Sequence, residues 1–162
     1  MKRPDCIQHW RDVEGADDST YPDSEERFAI GAPLARKMGL RRIGIHHERL
    51  PPGRRTSYPH AESDEEEFIH VIEGHPQVWI NGYLWKLEPG DSVGFPAGTG
   101  VCHTFINNTD EDVRLLVVGE ANKTYNRIYY PLNPMYAATR EDRWVDHPPQ
   151  FFGPHDGKPG RK

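Results

Sequence analysis

From Arg41 to Tyr130 the chain alternates short apolar runs with polar breaks: Arg41–Leu50, Glu67–Ile72, Gln77–Ile80, Tyr83–Leu87, Ser92–Phe95, Val101–Asn107, Val113–Val118 and Tyr125–Tyr130. The runs are rich in Val, Ile, Phe, Tyr and Trp, and Gly, Pro and Asn separate them, which is the pattern of an all-β sandwich or barrel. Asn81-Gly82 lies between two of these runs, and both residues accept the positive φ of a type I′ turn, so Gln77–Ile80 and Tyr83–Leu87 form a hairpin. Pro89-Gly90-Asp91 and Asn107-Asn108-Thr109-Asp110 mark two further reversals.

The flanks have a different texture. Residues 1–40 form an acidic arm, packed on the barrel of residues 41–130 as a solvated lead-in or an edge strand. Within the arm, Ala32–Met38 reads as one helical turn stopped by Gly39. Residues 131–162 carry Pro131, Pro134, Pro148, Pro149, Pro154 and Pro159 among Tyr136, Trp144, Phe151 and Phe152. Such a segment cannot extend a sheet from within, yet its aromatic surface is costly to leave in water, so it is expected to wrap the barrel or a partner subunit.

Composition narrows the function. The 162 residues carry a net charge of −5, which disfavours nucleic acid as a partner because phosphate binding calls for a basic stripe. No apolar stretch approaches the ~20 residues needed to span a bilayer, and the first ten residues do not read as a signal peptide, so no membrane partner and a cytoplasmic location are expected. Cys6 and Cys102, without a CxxC pair, indicate neither a disulfide framework nor a thiolate zinc site.

The chemistry concentrates in two phrases. One runs Gly53, six residues, His60, Ala61, Glu62, four residues, Glu67, six residues, Gly74. The other runs Gly90, five residues, Pro96, Ala97, Gly98, four residues, His103, three residues, Asn107. Residues two apart in a strand share a face, so His60 and Glu62 point the same way, Glu67 shares its face with Ile69 and Val71, and His103 sits between Val101 and Phe105. Imidazoles and carboxylates converging among apolar residues suit a divalent ion and also satisfy one another as buried polar groups.

In order and spacing these phrases resemble the two motifs of the cupin superfamily, the conserved double-stranded β-helix. The resemblance extends to small bacterial cupins named sugar-phosphate isomerases, through Gly44–Thr56 and Gly153-Pro154-His155-Asp156-Gly157; that name is itself inferred from family membership. It implies a jelly-roll-like barrel, a homodimer, a small-molecule substrate, and metal ligands at His60, Glu62, Glu67 and His103 for Mn, Fe, Ni or Zn. Two departures stand out: Glu62 replaces a family histidine, and two extra residues precede His103. With Glu62 on the metal, or shuttling a proton through an enediolate from off the metal, the resemblance implies isomerisation of a sugar phosphate. With Glu62 turned away, the remaining two-histidine, one-carboxylate set matches non-haem Fe(II) dioxygenases. A non-catalytic ligand-binding cupin is the third reading.

Other residues carry alternatives. Arg54 and Arg55, just ahead of His60, are candidates to clamp a substrate phosphate or carboxylate, or are ordinary surface charges. Asp64-Glu65-Glu66 either feeds cations inward or is an exposed loop. At most one of His46 and His47 lines the cavity. His70 and His75 read as structural or exposed, Cys102 as an inert buried thiol, and Trp79 and Trp85 as a sugar-stacking wall or as packing against the tail or a partner.

Overall fold

The computed structural model describes residues 3–160. In chain order the elements are α1 (Trp10–Val13), β1 (Ile30–Pro33), α2 (Leu34–Lys37), β2 (Ile43–Leu50), β3 (Ala61–Glu62), β4 (Glu67–Glu73), β5 (Gln77–Ile80), β6 (Tyr83–Lys86), β7 (Ser92–Phe95), β8 (His103–Ile106), β9 (Val113–Glu120), β10 (Ile128–Tyr129) and α3 (Pro134–Ala138). A five-stranded sheet has the order β1-β2-β9-β4-β7, a three-stranded sheet β6-β5-β8, and β10 pairs with β3. Every pairing between these strands is antiparallel.

The period-two pattern decides which face is buried. In β4, Ile69 and Val71 are buried while Phe68 and Ile72 are exposed; in β9, Val113 and Leu115 are buried. These side chains meet Leu50, Val78, Phe95 and Phe105 in one apolar cluster. Glu67 lies on the same face as Ile69 and Val71, so the alternation that builds the core also turns a carboxylate inward.

Turn chemistry fixes the register of the hairpin. Asn81 and Gly82 have φ of 45° and 89°, as a type I′ turn requires, and Ile80 pairs with Tyr83. The expected helical turn is α2, followed by Gly39 at φ 83°. Two strands are shorter than the apolar runs suggested. β8 begins only at His103, because Gly98 and Gly100, both at positive φ, and Thr99, whose hydroxyl accepts from Val101 N, form a loop that absorbs the two extra residues. In the Tyr125–Tyr130 run only Ile128–Tyr129 finds a partner strand.

Both flanks are tied to the barrel by named contacts. In the arm, Glu14 pairs with Arg49, Asp17 with Arg54 and Glu26 with Arg55, and β1 adds an edge strand to β2. Tyr21 of the arm stacks on Tyr58 at 4.0 Å. The tail wraps its own barrel: Gly153 N donates to Asn81 O, His155 N to Gly82 O, and Trp79 Nε1 to His155 O. Trp79 is fully buried, whereas Trp85 is exposed; adjacent pairs in the hairpin point to opposite faces, so Trp79 pairs with Leu84 and no two-tryptophan wall forms.

At Gly82 a side chain meets two obstacles, a φ of 89° and the tail backbone, since an added Cβ lies 2.4 Å from Gly153 N. Gly82→Ala is expected to cost about 1–3 kcal/mol, seen as a lower urea midpoint, while Gly94→Ala, whose Cβ meets nothing within 4 Å, leaves the midpoint nearly unchanged.

The arm is also acid-sensitive. Hydrogen bonds from Arg49 hold the Glu14 carboxyl below its usual range, and those from Arg54 do the same for Asp17. A carboxylate with a lowered folded-state pKa stabilises the fold above its ordinary pKa and loses that contribution as pH falls through the lowered value. Limited proteolysis is therefore expected to cut within residues 15–30 only below about pH 4. In an Arg49→Gln, Arg54→Gln double variant the cuts are expected already at neutral pH.

Candidate metal centre

Three elements deliver the central residues. His60 ends the loop before β3 and bridges His103 through two backbone bonds, His60 N to His103 O at 3.2 Å and His103 N to His60 O at 3.0 Å. His103 opens β8 and Glu67 opens β4. One nitrogen from each ring and one carboxylate oxygen lie within 4.8 Å of one another. The resemblance had implied four ligands. Glu62 lies outside this group, although it lines a small pocket with Glu67 and His103; its carboxylate accepts from Asn126 Nδ2 at 3.2 Å.

The trio is held from behind. His60 Nδ1 lies 2.9 Å from Tyr58 O, and a carbonyl only accepts, so the proton sits on Nδ1 and Nε2 is left with a free lone pair. Phe95 stacks on His103 at 3.5 Å with 7° between the planes. His103 Nε2 meets Glu67 Oε2 at 2.6 Å, while its Nδ1 is buried without a partner. Burial, then the neighbouring His103, lowers the pKa of His60 and keeps that ring neutral. For Glu67 burial acts upward, but the His103 hydrogen bond and the imidazoles around it prevail and keep the carboxyl below its usual range.

Neutral imidazole and ionised carboxylate are the forms that bind a metal, and two nitrogens with one oxygen suit Mn, Fe, Ni or Zn. The residues present therefore fit a divalent ion. A fixed tautomer at His60 and a stacked ring at His103 are the supports that such ligands need.

Beside the trio, and reaching it at Glu67, lies a cavity of about 190 Å³, lined among others by His46, Glu48, Glu62, Glu65, Glu66 and Glu120. Burial and the nearby Glu67 push Glu62 up to about 7, and the same two causes push Glu48 up to about 7. Of the two adjacent histidines of β2, His46 faces this cavity and His47 stacks on Trp10 at 4.4 Å on the other face. Glu48 escaped the sequence reading, although the alternation of Gly44, His46 and Glu48 in one strand already carried its signal.

Arg54 and Arg55 do not form a substrate clamp. Arg54 donates to both carboxylate oxygens of Asp17 and to Phe28 O. The Arg55 side chain is 2% exposed; it forms a two-pronged pair with Glu26, donates to Gly157 O and lies over Tyr58 at 5.0 Å. Both guanidiniums are satisfied within the chain, and they tie the arm and the tail to the loop that carries His60. In the acidic run, Asp64 and Glu66 are exposed and Glu65 is half-buried at the cavity. Asn107 is structural: its amide donates to Leu50 O and Glu111 O and accepts from Thr109. Burial raises the pKa of the Cys102 thiol far above its usual range, and His70 Nδ1 pairs with Ser92 Oγ.

Among the described residues no helix is long and apolar enough to cross a membrane. No curated protein matches the chain. The family model of the cupin domain matches residues 46–119. Among solved structures, a protein from Silicibacter pomeroyi DSS-3 named a sugar phosphate isomerase of the cupin superfamily is 33% identical, with a TM-score of 0.61 over 63% of this chain and 64% of its own. A protein from Acidithiobacillus ferrooxidans ATCC 23270, provisionally given the same activity, is 29% identical, with a TM-score of 0.61 over 64% of this chain and 65% of its own. The match thus spans just under two thirds of either protein. The polyketide cyclase RemF of Streptomyces resistomycificus, 23% identical, shares the fold at a TM-score of 0.62 over 88% of this chain and 95% of its own. The segment that matches the cupin domain runs from within β2 to within β9 and holds the residues from His60 to His103.

Proposed function

We propose that this domain is a metal-dependent enzyme that isomerises a small polar metabolite, with His60, Glu67 and His103 holding a divalent ion and Glu62 moving the proton. The observation that carries the reading is the placement of Glu62, inside the cavity but off the ligand cluster. A carboxylate that ligates a metal is not free to exchange protons; one that lines the pocket off the ligand cluster is. The isomerase names of the two bacterial relatives support the same reaction class.

When bound, the ion polarises a carbonyl and its neighbouring hydroxyl. The chain's residues supply the rest. Tyr58 O fixes the ring of His60, and Asn126 fixes the Glu62 carboxyl through Oε2. Glu62 then takes the proton from the hydroxyl-bearing carbon and returns it to the former carbonyl carbon, while the hydroxyl's own proton passes to the former carbonyl oxygen. Ala61, Phe95 and Val101 wall this part of the cavity with apolar surface, which keeps bulk water from the exchanging proton.

A second reading rests on the same cluster. Two histidines and one carboxylate without Glu62 are the ligand set of non-haem Fe(II) oxygen chemistry.

Metal binding is read by thermal shift. Mn, Fe, Ni or Zn at a hundred times its Kd is expected to stabilise the protein by about 2.7 kcal/mol, and the near-isosteric Glu67→Gln to lose most of that shift. Equal shifts in both proteins would place the metal elsewhere. Glu62→Gln then separates the two chemistries. For the isomerase it is expected to keep the metal-dependent shift and to lower aldose–ketose exchange about 10²–10⁴-fold. Oxygen uptake with Fe(II) that survives Glu62→Gln, in a protein without exchange activity, would instead establish the second reading.

A further inference from the structure

The charge of the cavity speaks to the substrate of the proposed reaction. Glu48, Glu62, Glu65, Glu66 and Glu120 line the cavity that opens beside Glu67, and no lysine or arginine lines it among the described residues. The two arginines placed nearby by sequence are closed on Asp17 and Glu26. Lys123 is paired with Glu120 at 2.7 Å. Arg42 lines a neighbouring cleft, where Glu66 and Glu120 stand beside it. The Glu48 side chain makes no hydrogen bond among the described residues, although it sits in the cavity wall.

This arrangement is hostile to a phosphate. An anion in the cavity faces several carboxylates with no guanidinium to hold it, and a dication at the trio has its charge offset by Glu67 and any one of its neighbours. Hydroxyl groups meet the opposite situation, since each O–H finds a carboxylate oxygen to accept it. The cavity of about 190 Å³ equals the liquid volume of roughly six waters, the scale of a ligand with a handful of carbons.

We propose that the substrate of this site is a small, unphosphorylated polyhydroxy carbonyl compound, bound through its hydroxyls by Glu48 and the neighbouring carboxylates. This rests on the isomerase reading above but parts from the phosphate in the relatives' names.

The test uses the full chain loaded with Mn, Fe, Ni or Zn, with metal content measured first. D-ribose and D-ribose 5-phosphate are then compared by calorimetry and by aldose–ketose exchange. The expected result is at least about tenfold tighter binding and higher kcat/KM for D-ribose, because like charges brought together penalise the phosphate ester. Glu48→Gln, which removes one charge and keeps the shape, is expected to narrow that preference about threefold or more by improving the phosphate ester. Equal or tighter binding of D-ribose 5-phosphate to the metal-loaded protein overturns the proposal, and so does binding of neither sugar. A protein that takes up no metal overturns the isomerase reading instead, so the two failures are told apart by the first measurement.

Discussion

A polar group inside an apolar barrel must find a partner, and this structure is organised around that constraint. Glu67 and His103 sit on the same inward faces as Ile69, Val71 and Phe105, residues that define the core. They are tolerated there because each satisfies the other at 2.6 Å and because His60 brings a second ring whose Nδ1 is met by Tyr58 O. The same pairing keeps Glu67 ionised, while burial and the neighbouring His103 keep His60 neutral. Structural satisfaction and readiness for a metal are therefore two descriptions of one arrangement, with His103 Nδ1 as the group left unmet.

The position of His60 depends on segments far from it in sequence. Its loop, residues 51–60, lies between the arm and the tail, and Arg55 is the joint: the guanidinium holds Glu26 of the arm and the carbonyl of Gly157 in the tail. Tyr58, whose carbonyl orients His60, is stacked under Tyr21 of the arm and lies beneath Arg55. Arm and tail thus act as braces for a ligand loop. This accounts for arginines at a position where a substrate clamp was a reasonable expectation.

How much of this the sequence carries depends on the range of the interaction. The hairpin at Asn81-Gly82 was legible because backbone φ is a local property of two residues. The trio was legible because period-two alternation and spacing set which side chains turn inward. Whether Glu62 ligates stayed open in the sequence, since the partner of its carboxylate, Asn126, comes from 64 positions away. Arg54, Arg55 and Trp79 were ambiguous for the same reason: their partners Asp17, Glu26 and His155 come from the flanks, and nothing local names them. Glu48 is the instructive omission, because its inward direction follows from the alternation of β2 and only its neighbours make it chemically notable.

Electrostatics and likeness to relatives pull in different directions here, and the physical terms decide between them. Likeness carries the fold, which depends on residues inside the matched segment. Substrate charge depends on residues that face the cavity and not the apolar core, here the carboxylates of β2, of the β3–β4 loop and of the end of β9. A barrel of this kind keeps its core while such residues change, because they face a cavity rather than one another's packing. The two arginines spent on the arm and the unpartnered Glu48 then say more about what enters this site than the names of its neighbours do, since a ligand is recognised by the groups it meets.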